Sequence, residues 1–454
     1  MVMKNCWVLV GATALVLGAA GCGDSGKGGD ETPSANAPVA AASKKFTGKM
    51  EVQAFKGGFD IDFYQQAAKE FDAKNPGLTT TVQGDPRVWE KLRPRLNSDD
   101  VPDLMFPGWG MDHWALAEEG QLLTLDAALD SPPYEGTGKW RDTFEPTILK
   151  LGQKDGKQYV LPYYFTVWGW WFDPGVFAKN GWTAPKTFDD LLALCEKIKQ
   201  KGIAPITFQG KYPYYMLEGM LLPWAQSIGG PQVISDIQNL VPGAWKSPAI
   251  LQAATMIAQL RDKGYFENGA VGLSHTESQT DFLNGKAAMI PCGTWLESEM
   301  KKQMPPGAKM QYLLPPVVAS GKGDPTAVLI EIEPWMVPAK AKQPEAAIAL
   351  YKYMTSPDKA KQFVEQKGTL MSIKGSDAGK LPDTLVIPSQ VFKASKTAWS
   401  FQARNWYPAM EKEIENALTS MVNGQATPQQ FCDRSEAAAQ KTKGDDSVVK
   451  HKVE

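Results

Sequence analysis

The chain has 454 residues, a formal net charge of −2 and an apolar content of 43 %, which is ordinary for a globular protein. It contains no long basic tract, and this argues against nucleic acid or anionic lipid as a partner. The first residues combine a positive charge at Lys4 with an uncharged apolar stretch over residues 6–20. That order predicts an export signal, and the stretch is shorter than the about 20 residues of a membrane span.

A cysteine directly follows the small residues that end this stretch. The run Ala19-Ala20-Gly21-Cys22 resembles the cleavage site of bacterial lipoproteins. The resemblance implies a signal peptide over residues 1–21 and a lipid-modified Cys22, so that the protein is exported and anchored at the cell membrane, facing the periplasm or the cell exterior. The alternatives are an ordinary secretory signal with an incidental cysteine, or an apolar segment retained as an anchor. Residues 22–45 are rich in Gly, Ser, Pro and Ala, which predicts a disordered linker.

The body starts at about residue 46 and is too long for a single hydrophobic core, so we expect two lobes. Its first part alternates strand-like and helical patterns. Strands are predicted over residues 50–55, 78–82 and 104–107, and helices around residues 63–71, 87–96 and 111–119. This β-α-β-α-β-α order favours a largely parallel sheet in an α/β fold.

A second block begins with an aromatic strand over residues 159–172. A helix over residues 188–201 is predicted to start at the N-cap Thr187, with Asp190 as its capping-box partner. Ser247-Pro248 opens an amphipathic helix that ends at Gly264. Further helices are predicted over residues 344–355, 357–366, 409–422 and 428–441.

Motifs for chemistry are sparse. Cys195, Cys292 and Cys432 are odd in number and widely spaced, so at most one disulfide forms and three buried thiols are expected. The three histidines form no recognisable motif, and no cofactor, metal or catalytic residue is predicted. The pairs Glu331/Glu333 and Glu297/Glu299 would suit a glycosidase, but in a chain with 50 acidic residues such pairs arise by chance.

The positive signal is aromatic, since the chain contains fifteen tryptophans. Tryptophan offers a flat apolar face with little side-chain entropy to lose, which suits the C–H faces of sugars. Strand alternation puts Trp168 and Trp170 on one face, predicted to line a cleft, and Trp171 on the other, predicted to lie in the core. For any single tryptophan, burial in the core is the equally frequent outcome.

Several motifs resemble those of the extracytoplasmic sugar-binding proteins of bacterial ABC importers, the family 1 solute-binding proteins. They are Pro102-Asp103-Leu104, Leu161-Pro162 before the aromatic strand, and residues 285–289 leading into Gly293-Thr294-Trp295. A finer resemblance is to the branch that binds N-acetylglucosamine and diacetylchitobiose, carried by residues 244–250, 262–265, 295–300 and 445–448. The chain departs from that branch in having Trp168 and Trp170 in the aromatic strand.

This resemblance implies a periplasmic-binding-protein fold of two α/β lobes, with a hinge and an interlobe cleft. The first lobe would comprise residues 46–160, with 286–340 returning to it, and the second residues 161–285, with most of 341–454. A monomer would bind N-acetylglucosamine or a short chitin oligosaccharide and deliver it, chemically unchanged, to the permease of an ABC importer. The alternatives are a binding protein for another oligosaccharide, or a lipid-anchored glycoside hydrolase using Glu297 with Glu331 or Glu333.

The resemblance also implies ligand-binding residues. Asp60 and Asp85 end the first two strands and either accept hydrogen bonds from sugar hydroxyls or cap helices. Arg404 is predicted to reach the cleft from the last segment. The other predicted ligand-binding residues are Trp109, Tyr164, Trp168, Trp170, Trp295, Glu331, Glu333 and Trp335.

Overall fold

The computed structural model describes residues 45–108, 111–378 and 381–453. Trp109, Cys22 and the whole of the predicted signal and linker up to residue 44 lie outside the described residues. The strands are β1 Gly48–Phe55, β2 Leu78–Asp85, β3 Leu104–Phe106, β4 Gln153–Lys154, β5 Lys157–Gln158, β6 Leu161–Phe172, β7 Ala204–Ile206, β8 Ala287–Gly293, β9 Gln311–Leu313, β10 Val328–Trp335, β11 Leu370–Met371 and β12 Ala398–Trp399.

Helices connect and cover these strands. They are α1 Asp62–Lys74, α2 Val88–Leu96, α3 His113–Glu118, α4 Asp126–Asp130, α5 Pro146–Lys150, α6 Pro174–Asn180, α7 Phe188–Lys199, α8 Tyr214–Met216, α9 Leu222–Gly229, α10 Pro231–Gln238, α11 Pro248–Asp262, α12 His275–Leu283, α13 Leu296–Met300, α14 Pro344–Met354, α15 Pro357–Lys367, α16 Asp383–Ala394, α17 Ala403–Trp406, α18 Pro408–Val422 and α19 Pro428–Lys443. A π-helical turn, Leu217–Leu221, joins α8 to α9.

The first sheet has three parallel strands in the order β2-β1-β3. The alternating order of strands and helices in the sequence predicted this arrangement, because parallel neighbours require a crossover between them. The paired strands β1 and β2 end at Phe55 and Asp85, which are partners in the register. The loop that follows β1 is therefore at the carboxyl edge of this sheet.

The second sheet has seven strands and is built around β6 and β10. These two pair antiparallel, and β8 lies on the other side of β6. The register between β6 and β10 shifts between Ile332 and Pro334, where proline removes a backbone donor. The sheet is completed by β7, β9, β11 and β12.

Two hydrophobic cores fill the body, and β6 and β10 contribute to both. One core takes Leu161 and Tyr163 from β6 together with α1, α14 and α15, and the other takes residues 165–172 together with α9 and α11. Along β10, Val328 and Trp335 belong to different cores in the same way. Strands that run from one core into the other are the connections expected of a two-lobed protein.

Local signals in the sequence are confirmed where they were strong. Thr187 and Asp190 form the capping box that opens α7, and Ser247 caps α11. Cys195, Cys292 and Cys432 are buried free thiols, as expected. Within the part of the chain that the structure describes, no helix combines the length and apolar character needed to cross a membrane.

Candidate functional site

An open cleft of about 310 Å³ lies at the carboxyl edge of the first sheet. The loop after β1 forms one wall with Phe59 and Asp60, and α13 and the end of α15 form the other. Glu297 of α13 also accepts a hydrogen bond from Thr384 of α16. The cleft therefore lies where elements from distant parts of the chain converge.

Asp60 projects from a strained position beside this cleft. Its φ of 54° is in the left-handed region, which is uncommon for a residue other than glycine. The N-cap of α1 is Ile61, so Asp60 does not cap the helix; its Oδ1 accepts a hydrogen bond from the Ile61 N–H. With a side chain that is half exposed, Asp60 keeps acceptor capacity for a ligand.

From this cleft, one face of β6 leads inwards. Phe59 meets Tyr164 edge to face, with ring centroids 4.9 Å apart. The Tyr164 hydroxyl donates a hydrogen bond to Glu333, whose second oxygen is buried without a partner in the described residues. Burial raises the pKa of the Glu333 carboxyl well above its usual value, and the hydrogen bond from Tyr164 opposes this only in part.

Further along the same face, Arg404 is held between two carboxylates. Its Nη2 donates to Glu331 Oε1 at 2.5 Å, and its Nη1 lies 3.0 Å from Glu218 Oε1. The guanidinium also lies 4.5 Å from the ring centroid of Tyr214. Burial lowers the pKa of Arg404, but the carboxylates of Glu218 and Glu331 raise it by more, so Arg404 stays charged.

The second carboxylate is fully buried. Burial raises the pKa of Glu218 well above its usual value, against the opposing effect of Arg404. Apart from the ion pair with Arg404, neither oxygen of Glu218 accepts a hydrogen bond among the described residues, and Arg404 Nε has no acceptor there. Buried groups whose hydrogen bonding is incomplete cost free energy, and a ligand that supplies the missing partners recovers it.

A group of aromatic side chains adjoins this charged group through Tyr214. The Trp168 ring lies 5.0 Å from that of Trp295 and 5.3 Å from that of Tyr215, both edge to face. Tyr214 is in contact with Tyr215 at 4.6 Å. We call Trp168, Trp295, Tyr214 and Tyr215 the aromatic cluster. Together with Arg404, Glu218 and Glu331 it presents flat apolar faces beside charged hydrogen-bonding groups.

Two predicted cleft residues lie elsewhere. Trp170 shares a face with Trp168, as alternation predicted, but the π-helical turn and α9 cover it. Its Nε1 donates to the Gly219 carbonyl of the turn at 2.8 Å, its ring lies 6.2 Å from that of Trp224 in α9, and its side chain is 0 % exposed. Trp335 is also 0 % exposed, because it packs against Tyr64 and Phe106 in the first core. Both differ from the prediction, and the reason is that strand alternation does not specify what covers a face.

The remaining predicted positions are distributed as follows. Trp171 is buried, as predicted, and donates to the Cys292 carbonyl. Asp85 pairs with Lys91 and accepts from the Arg87 N–H at 2.8 Å, while Arg87 is the N-cap of α2. Asp85 is therefore neither a helix cap nor in contact with the aromatic cluster. Trp109 lies outside the described residues.

Glu218, Tyr214 and Tyr215 also belong to this site, and none of them was predicted from the sequence. One signal was available, since Glu218 is the single charged residue in the otherwise apolar run of residues 213–225. A charged side chain is almost never fully buried unless it is paired, so an isolated acid in such a run indicates a partner from elsewhere. Within the described ranges, no group of three or more His, Cys, Asp or Glu is arranged to hold a metal ion.

The fold and this site define a class of protein: a two-lobed α/β binding protein whose polar and aromatic groups meet where β6 and β10 connect the cores. Residues 60–361 match the model of the bacterial extracellular solute-binding proteins. The match covers well over half of the chain. The protein therefore belongs to this family, which confirms the resemblance seen in the sequence motifs.

Relatives in sequence agree with this assignment, and solved structures show the same fold. The chain is 29 % identical over 360 residues to the diacetylchitobiose binding protein NgcE of Streptomyces coelicolor, covering 78 % of this chain and 74 % of the relative. It is 23 % identical to a multiple sugar-binding protein of Streptococcus mutans, with 74 % and 78 % covered. A solved chitin oligosaccharide binding protein superposes with a TM-score of 0.72 at 21 % identity, covering 87 % of this chain and 98 % of that one.

Proposed function

We propose that this protein binds a sugar containing N-acetylglucosamine, as the monomer or as a short chitin oligosaccharide such as diacetylchitobiose, and delivers it to an ABC importer. The observation that carries the proposal is the aromatic cluster lying beside Arg404, Glu218 and Glu331. Sugars require both kinds of contact at once, since each ring has apolar C–H faces and a rim of hydroxyl groups. The name of the Streptomyces relative supports diacetylchitobiose as the ligand, and that of the Streptococcus relative supports a sugar.

The residues have distinct roles in this proposal. Trp295 and Tyr214 supply faces for stacking, and each such contact contributes on the order of 1 kcal/mol beyond area burial. The carboxylates of Glu218, Glu331 and Asp60 accept hydrogen bonds from sugar hydroxyls, and Arg404 donates to ring or hydroxyl oxygens. In this role the groups bind and orient the sugar, and they make or break none of its bonds.

The two-lobed form allows the protein to enclose the sugar and carry it to the importer. The lobes close over the sugar by bending of the connections between them, β6 and β10 among them. The closed form, a monomer, is recognised by the permease subunits of the importer. Cys22, as the lipidated first residue of the mature protein, keeps the body near that partner, and residues 22–45 provide the reach.

The test measures ligand, shape and product together. Melting temperatures with a panel of mono- and oligosaccharides identify the ligand, because one that binds only the folded state raises the melting temperature. Solution scattering with diacetylchitobiose should then show a smaller radius of gyration, and chromatography should recover the sugar intact after hours.

Each other outcome has a defined meaning. Cleaved sugar would contradict the binding role and favour a hydrolase that uses Glu297 with Glu331 or Glu333. Compaction with maltose or a xylose oligomer but not with diacetylchitobiose would keep the transport role and reject the N-acetylglucosamine ligand.

A further inference from the structure

A second, smaller cavity lies behind Trp168, at the start of β10. Its walls come from β6, α9, the loop before β10 and β12, and the space open to the centre of a water-sized group is about 20 Å³, within about 380 Å³ of free space that includes the mouth. The inner space suits about one water-sized group, so a larger substituent would extend into the free space of the mouth. The residues that matter here are Trp168, Gln226, Asp324, Leu329 and Trp399.

Four polar atoms in this wall are buried and have no hydrogen-bonding partner among the described residues. Three are donors, Trp168 Nε1, Gln226 Nε2 and Trp399 Nε1, and one is an acceptor, Asp324 Oδ2. Trp168 is 1 % exposed and Gln226 is 2 % exposed. The other oxygen of Asp324 is occupied by the Thr326 N–H and hydroxyl, at 2.9 Å and 2.7 Å.

The cavity adjoins the proposed sugar site and shares one side chain, Trp168, with it. Trp168 belongs both to its wall and to the aromatic cluster. Leu329 lines it, and Glu331, which binds Arg404, follows two residues later on the same face of β10. A ligand stacked on the aromatic cluster would therefore be separated from this cavity by no more than the Trp168 side chain.

We propose that the cavity receives the acetamido group of an N-acetylated sugar, an inference that rests on the proposed function. The acetamido carbonyl accepts from the unpaired indole and amide donors, and its N–H donates to Asp324 Oδ2. The methyl group contacts the apolar part of the wall, which includes Leu314, Pro325 and Ala327. A carboxylate in the same place would be repelled by Asp324, and an ammonium group would leave the three donors unpaired.

This arrangement predicts selectivity rather than affinity alone. A site whose buried polar groups are left unpaired by an analogue rejects that analogue strongly. Cellobiose has hydroxyl groups where diacetylchitobiose has acetamido groups, so the two sugars form a matched pair. The wild-type protein should prefer diacetylchitobiose by at least about tenfold, since a single lost hydrogen bond within a buried site has about this effect.

The experiment measures by calorimetry the affinity of the wild-type protein and its variants for both sugars. Trp399→Phe removes one donor and keeps an aromatic wall, and Gln226→Leu removes another at similar volume. Each should reduce the preference for diacetylchitobiose over cellobiose by about fivefold or more. Trp295→Ala is the matched control, because it should weaken both sugars by a similar factor and leave the preference unchanged.

The outcomes separate the two proposals. Wild-type protein that binds neither sugar would overturn the proposed ligand, and the acetamido cavity with it. Wild-type protein that binds diacetylchitobiose, with an unchanged preference in both Trp399→Phe and Gln226→Leu, would leave the proposed function standing and show that the cavity holds only water. If Gln226→Leu fails to fold, judged by its melting curve, Trp399→Phe alone decides, because Trp399 is only partly buried.

Discussion

At the residue scale, the side chains around a buried tryptophan decide whether it lies beside the proposed site or within a hydrophobic core. Trp168 contacts Trp295 and Tyr215 of the aromatic cluster, whereas Trp335 is enclosed by Tyr64, Phe106 and Tyr351. Both are almost fully buried, but Trp168 contacts Tyr214, which lies against Arg404, whereas the ring partners of Trp335 belong to the first core. Burial alone therefore does not distinguish a residue of the proposed site from a core residue.

Trp295→Ala should weaken sugar binding, whereas Trp335→Ala should lower the stability of the fold. Trp295 is only partly buried, so its loss should weaken binding of diacetylchitobiose about tenfold or more with little change in melting temperature. Trp335→Ala should lower the free energy of unfolding by about 3–5 kcal/mol, because it leaves a cavity in the first core. Calorimetric binding and urea unfolding check the pair. Equal losses of stability in both variants, with unchanged affinity, would contradict the assignment.

At the scale of single elements, the π-helical turn Leu217–Leu221 explains how a charged residue reaches the site. Such turns are rare and frequently occur at functional sites. Here the turn places Glu218 beside Arg404, while its neighbour Gly219 packs so closely that an added Cβ would lie 2.9 Å from Pro291. The Gly219 carbonyl accepts from Trp170. The turn thus connects helix α9 to the ion pair of Glu218 and Arg404.

Helix α18 carries a second buried acid next to this group. Burial raises the pKa of Glu411 from its usual 4.5 to about 8, with a smaller contribution from Glu415 and an opposing one from Arg404. Neither Glu411 oxygen has a partner among the described residues. The folded protein therefore holds this proton to a higher pH than the unfolded chain does.

Glu411→Gln should make stability less dependent on pH. The stability associated with the raised pKa is fully present below about 4.5 and is lost as the pH rises through about 8, because the unfolded chain releases the proton first. The variant and the wild type should differ little at pH 5, and the variant should be increasingly more stable towards pH 9. Melting temperatures across this range check it. Glu413→Gln, an exposed change on the same helix, should show no such trend, and a parallel trend in both would contradict the prediction.

At the scale of the whole molecule, the C-terminal segment connects distant helices. His451 Nε2 lies 2.8 Å from Asp112 Oδ2, at the start of α3. Two residues later, Val453 exchanges hydrogen bonds with Asn239, just after α10. His451 also packs on the segment that carries Arg404 and Trp406: its ring lies 5.1 Å from that of Trp406, and its N–H donates to the Tyr407 hydroxyl.

The proposed anchor gives a prediction for the intact cell. Cys22→Ala should block lipid attachment and move the protein from the membrane to the soluble fraction, because no other long apolar segment follows it in the sequence. Detergent partitioning of cells that express each form measures this. Cys292→Ala, at a buried thiol, serves as a control and should leave the distribution unchanged. A Cys22→Ala protein that remains in the membrane would contradict the lipoprotein interpretation.

The sequence by itself determined the features that depend on neighbouring residues and on the order of strands and helices along the chain. Alternating strands and helices dictate a parallel first sheet, because parallel neighbours need a crossover between them. Thr187 with Asp190 specified a helix start, since a capping box satisfies backbone donors within a few residues. The motifs around Leu161-Pro162 and Gly293-Thr294-Trp295 identified the family, which the match over residues 60–361 confirms.

Only the tertiary structure decided which side chains meet. Alternation correctly put Trp168 and Trp170 on one face, but Trp170 packs against the π-helical turn and α9, whereas Trp168 packs beside Trp295. Glu218 and Arg404 are 186 positions apart in the numbering and are brought together by a π turn that no local pattern announces. The same is true of the unpaired groups Gln226, Asp324 and Trp399, because burial and partnership are properties of the packed chain.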